Sequence, residues 1–153
     1  MDLLMPCLYA VLASFAFGLI SELHSWKYLL SAAAIGGLGW LVYLLLDSYS
    51  TVPRFLMTTI VIAALSEIMA RVFKAPATIF LVVGIIPLVP GGGIYYTMEG
   101  LINGDMTVFL QKGMETVAAA GSIAVGCSLV TSLARVITVW RRHRRKLRLQ
   151  KAK

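Results

Sequence analysis

The sequence predicts an all-α, polytopic integral membrane protein with five transmembrane helices. Three observations carry this reading. Of 153 residues, 59% are hydrophobic and only 14% charged. The apolar residues gather into runs of spanning length, and short turn signals separate those runs. A soluble domain carries about 25% charged residues, so a chain this poor in charge has little of itself outside a bilayer.

The runs follow in order. A spanning helix needs roughly 20 mostly apolar residues. Residues 3–20 supply the first, with Pro6 in its first turn, where a missing amide costs least. No Lys or Arg precedes Lys27, so this start is unlike a cleavable signal and is expected to stay as a helix. Residues 28–46 form the second, with Gly36, Gly37 and Gly39 allowing another helix to approach closely. The third covers 55–73. Residues 77–89 are apolar but span roughly 20 Å at 1.5 Å per residue, short of the roughly 30 Å hydrocarbon core. They read as a half-helix, or a broken and re-entrant fourth segment, followed by a short piece over 94–102 and a turn at Asn103-Gly104-Asp105. The last helix is expected over 113–139. Its small residues recur every four, in the stripes Ala120/Ala124/Ser128/Ser132 and Ala118/Ser122/Gly126, and read as packing surfaces. The division is a transmembrane domain over 1–140 and a basic tail over 141–153.

The net charge of +7 does not point to nucleic acid, because eight of the fourteen Lys and Arg follow Trp140. Basic residues just beyond a span read as a cytoplasmic anchor on anionic lipid, with docking on a partner's cytoplasmic domain as the alternative. Placing this tail inside also puts Lys27, Arg71 and Lys74 inside. That arrangement predicts an outside N-terminus and a cytoplasmic C-terminus in a multi-pass protein of the cell membrane. Cys7 and Cys127 lie in apolar runs and form neither a metal spacing nor a disulfide framework. No catalytic constellation sits in the apolar segments, and His24 and His143 both lie outside them, so no enzyme, cofactor or metal is expected.

The chain's strongest local signal is Pro87-Leu88-Val89-Pro90-Gly91-Gly92-Gly93-Ile94-Tyr95-Tyr96-Thr97. Two prolines remove amide donors, and three glycines permit a sharp change of backbone direction. A broken helix at membrane depth survives only where protein packs it or water reaches it. Free amides at Gly91, Gly92 and Gly93, with a positive helix end beginning near Ile94, would suit a solute carboxylate. Pro87, Pro90, Gly91, Gly92 and Gly93 are therefore candidate solute-path residues. A tight outer turn without a ligand is the plain alternative. Tyr95, Tyr96 and Thr97 are candidates on the same path, although the tyrosines equally suit an interfacial belt. Glu67 is an intramembrane carboxylate with Arg71 four residues later on the same face. The two read either as a coupling or gating group, which Ser66 can assist, or as a structural ion pair. Asp105 is a further gating candidate whose plainer role, with Asn103, is capping.

The segments Ser66-Glu67-Ile68-Met69-Ala70-Arg71, Lys74-Ala75-Pro76-Ala77-Thr78, the proline-glycine-tyrosine run and Asn103-Gly104-Asp105 together resemble the threonine/serine exporter family. Most of the chain from Tyr28 onward resembles the small subunit that corresponds to the family's C-terminal half. That resemblance implies a split transporter, acting with a five-helix membrane subunit that corresponds to the N-terminal half. It implies proton-coupled export of threonine and serine or, for some split members, of dicarboxylates such as succinate. The alternative from another class is a non-transporting scaffold that assembles or stabilises a partner membrane protein. The sequence leaves homo-oligomerisation open.

Overall fold

The computed structural model describes residues 3–23 and 25–151; His24 lies outside them, as do the side chains of the tail from Arg141 onward. Among the described residues it is all helical: α1 (Leu4–Ile20), α2 (Trp26–Leu45), α3 (Thr51–Phe73), α4 (Ala77–Ile85), a 3-10 turn (Ile86–Leu88), α5 (Gly91–Ile102) and α6 (Met106–Lys151). Three of these, α2, α3 and α6 from Met106 to Trp140, are long and apolar enough to cross a membrane. Segments Ala77–Leu88 and Gly91–Ile102 qualify jointly, joined at a bend of 46°, and α1 is a shorter apolar helix.

Helix α2 forms the centre of the bundle, and its glycines explain why. A Cβ on Gly37 would meet Val11 of α1, one on Gly36 would meet Ser14 of α1, and one on Gly39 would meet Ile62 of α3. Gly84 of α4 answers from the other side, its missing Cβ leaving room for Ile35 of α2. Small residues at such crossings let backbones approach closely, which is how apolar helices gain packing when lipid offers the same hydrophobicity. The expectation of one close helix at this Gly-rich segment becomes three. At one end of the bundle Tyr28, Phe73 and Phe80 lock α2, α3 and α4 together, with ring centroids 5.4 to 5.9 Å apart.

The polar residues of α3 are consistent with burial in an apolar medium. Thr59 and Ser66 are fully buried, and each hydroxyl donates to the carbonyl four residues earlier, at 2.7 and 2.8 Å. Their hydrogen-bonding need is met inside the helix. Two helix starts differ from expectation by four residues or more. α3 begins at Thr51, not 55, because Pro53 falls in its first turn, where proline is tolerated. α6 begins at Met106, not 113, because the Asp105 carboxylate accepts from the Thr107 and Val108 amides at 3.0 and 3.1 Å.

Helix α5 departs from the bundle and packs along α6 as an antiparallel hairpin. Gly93 lies against Thr116, Gly113 against Thr97, and Gly100 against Phe109. The turn between them needs a left-handed residue, and Gly104 supplies it at φ 74°. The Asp105 amide reaches back to the Gly100 carbonyl at 2.9 Å to close the end of α5.

Candidate functional site

The fourth apolar segment ends as an α-helix at Ile85 and tightens into the 3-10 turn that contains Pro87. Val89 is extended, with φ −58° and ψ 126°, and Pro90 follows at φ −76° and ψ 55°. The change of direction therefore comes from residues 86–90. Gly91, Gly92 and Gly93 do not make it: they form the first turn of α5, and the positive-φ glycine of the described residues is Gly104. The glycines matter for space instead. A Cβ on Gly91 or Gly92 would meet nothing within 4 Å, whereas one on Gly93 would strike Thr116.

Beside this break lies an open cleft of about 310 Å³. Pro87 to Gly93 form one wall, Thr116 and Ala119 of α6 a second, and Trp40 and Tyr43 of α2 with Phe55 of α3 a third. The aromatic wall is ordered by stacking of Trp40 on Tyr43 at 5.1 Å and an edge contact from Tyr43 to Phe55 at 5.1 Å. Arg54 fixes it from behind, its guanidinium 3.7 Å from the Tyr43 ring centroid, its Nε donating to the Tyr43 carbonyl at 2.9 Å, and its charge paired with Asp47 at 2.8 Å.

The cleft offers donors. The Gly91 amide turns to the Val89 carbonyl at 2.7 Å. Among the described residues, the Gly92 and Gly93 amides have no acceptor, as the second and third amides of a helix without a side-chain cap must. The Trp40 Nε1 is buried and also lacks a partner among the described residues. A buried, unpaired indole N–H is costly unless something accepts from it. Trp40 escaped the sequence reading because an aromatic in an apolar span reads as packing. The fixed dipoles can hold an anionic oxygen, and Glu115, paired with Lys112 at 3.0 Å, adds a carboxylate to the lining.

The other sequence candidates fall elsewhere. Tyr95 and Tyr96 project from α5, more than half exposed, with their rings edge to face at 5.4 Å, and they do not line the cleft. The Thr97 hydroxyl is committed to the Gly93 carbonyl at 2.7 Å. Asp105 caps α6 at the exposed α5–α6 turn. Glu67 and Arg71 pair at 3.8 Å, a long, partly exposed contact of a kind that contributes about 0.3–0.5 kcal/mol. Glu67 lines a different cavity, near Pro76, and Ser66 is turned into its own helix. The break and the ionisable candidates are thus at separate sites. Of the two small-residue stripes of α6, Ser122 and Gly126 are buried, the latter against Thr59 and Leu56 of α3, while Ala120, Ala124, Ser128 and Ser132 are all exposed.

The family model described as Threonine/Serine exporter, ThrE, matches residues 6–133, which include the break, the aromatic wall and most of both cavities. No curated protein and no solved structure matches the chain.

Proposed function

The chain belongs to the threonine/serine exporter family, and from that premise we propose that it is one subunit of a secondary, proton-coupled exporter in the cell membrane. Its solutes are small amino acids such as threonine and serine, or small carboxylates such as succinate. The observation that carries this reading is the cleft at the break. Its unpaired Gly92 and Gly93 amides lie where glycine leaves the wall open, and Trp40, whose buried Nε1 has no partner among the described residues, belongs to another wall. Both solute classes bring the carboxylate that such donors accept. Half-helices whose N-termini face anionic solutes recur in secondary transporters.

In this reading the chain crosses five times. Ala77–Leu88 with Gly91–Ile102 makes the fourth crossing, since together they rise about 36 Å against a core of roughly 30 Å. This reading takes the pair, bent by 46°, as a broken span. The C-terminal tail lies in the cytoplasm on anionic lipid, as the distribution of Lys and Arg supports. The partner is a five-helix membrane subunit that completes the wall. The exposed stripe Ala120/Ala124/Ser128/Ser132 supports a helix of that partner lying on α6.

The test is efflux from cells loaded with threonine or with succinate. Deleting this chain with its partner should raise the retained solute, and an uncoupler should reproduce the retention. Gly92→Leu should lower efflux at least tenfold with membrane insertion and thermal stability unchanged, because the side chain enters open space in the cleft. Efflux that survives loss of this chain, with only the partner's abundance reduced, would replace the transport reading by the scaffold reading.

A further inference from the structure

We propose that the chain carries a second solute station, in the cavity between α3, α4 and α6, and that it holds a zwitterionic α-amino acid. The cavity measures about 410 Å³, within the range usual for small-molecule sites. It lies at the end of the bundle from which the basic tail leaves, on the far side of the Phe80 cluster from the break.

Its wall joins two opposite charges from different helices, Glu67 of α3 and Arg135 of α6. Arg135 forms no ion pair among the described residues. The contact of Glu67 with Arg71, at 3.8 Å, is too long for a hydrogen bond, so its carboxylate keeps accepting capacity. Between them the first turn of α4 enters the cavity at Ala77 and Thr78. The amides of both residues have no acceptor among the described residues, and neither has the Thr78 hydroxyl. The two other hydroxyls on the wall are already used, Thr131 donating to Cys127 and Thr138 to Ala134, each at 2.8 Å.

One solute satisfies all of this. Its carboxylate takes Arg135 and the two α4 amides, where guanidinium and helix dipole act in the same sense. Its ammonium takes Glu67. A dicarboxylate places its second charge against Glu67 and is disfavoured. The cavity therefore distinguishes the two solute classes. The inference deepens the export reading and rests on it for the identity of the solute; binding itself is tested without transport.

The experiment uses the full chain in lipid nanodiscs, with Cys7 and Cys127 replaced by Ser and a single reporter, Leu81→Cys, on the cavity wall. The maleimide labelling rate is measured against L-threonine, butyrate, n-propylamine and succinate. L-threonine should slow labelling, and the three others should need about tenfold more, because each lacks or reverses one charge contact. Arg135→Gln and Glu67→Gln should each raise the half-protecting threonine concentration about tenfold, with Arg135→Lys intermediate. Thr138→Cys repeats the measurement from the opposite wall if Leu81→Cys inserts poorly. Absence of protection at both reporters, in a preparation whose cells export threonine, overturns the station and leaves the export reading standing. Equal protection by succinate, unchanged in Glu67→Gln, overturns the zwitterion assignment. Protection by threonine in a chain whose deletion leaves efflux unchanged upholds the station and removes the export reading.

Discussion

Helices α2 and α6 are both long, apolar and rich in small residues, yet they solve opposite problems. Every glycine of α2 is buried, and each admits a neighbour from the same chain. On α6, one small-residue stripe seats α3, and the other, four residues in four turns, is exposed. The difference separates what this chain completes alone from what it leaves for lipid or a second subunit. The α1–α4 bundle is closed around α2. The α5–α6 arm is closed on one side and bare on the other, and the cleft opens where the two regions part.

The largest test of this contrast is at Gly36. Gly36→Leu should abolish the folded chain in detergent, because a side chain there meets Ser14 and the Gly84 carbonyl with no room to give. The milder Gly36→Ala should cost about 1–3 kcal/mol by thermal melting. Pairing it with Ser14→Gly should recover part of that loss, since Ser14 is the nearest obstacle. Recovery nowhere near the single-mutant loss would show that the α1–α2 crossing is not what the glycine serves. Next is the cap that starts the arm: Asp105→Ala should cost about 1 kcal/mol through loss of two amide acceptor bonds. The same substitution should leave export unchanged if Asp105 is a cap, and a loss of efflux at normal abundance would return it to a gating role. Smallest for the chain itself is Ala124→Leu on the bare stripe, expected to shift its own stability by under about 0.5 kcal/mol. Its effect should be on recovery of the partner in co-purification. Unchanged recovery would assign that face to lipid.

Much of the architecture was legible because hydropathy and turn chemistry act locally. The all-helical class, a break in the fourth apolar segment and the turn at Asn103-Gly104-Asp105 announce themselves in short windows, although the helix ends at Ile85 and not at 89. The two starts misjudged most have different causes. Gln111, Lys112 and Glu115 interrupt the apolar run, but polar side chains do not end a helix, and α6 runs through them from its Asp105 cap. Pro53 looked like a loop residue for want of knowing that it sits in a first turn. At the site, the proline-glycine run was visible, but the role of its glycines was not. Conformational freedom and open space look alike in sequence, and backbone angles separate them. Trp40 and Arg135 became candidates only through contacts with helices distant in sequence. The tyrosines drew attention for the opposite reason: adjacency to the break along the chain does not carry around a helix, and they face outward.

The position of α6 has a mechanical consequence. One unbroken helix supplies Thr116 and Ala119 to the cleft at the break and Arg135 and Thr138 to the cavity at the other end. Thr116 and Arg135 are about 28 Å apart along the axis at 1.5 Å per residue. Midway, Gly126 rests on the Thr59 side chain, with no side chain of its own to hold the two helices apart. That contact would serve as a fulcrum if α6 tilts in the proposed exporter. A rod pivoting there swings its two ends in opposite senses, so a tilt that widens one compartment narrows the other. In the proposed exporter, such a lever would keep the two compartments from opening together.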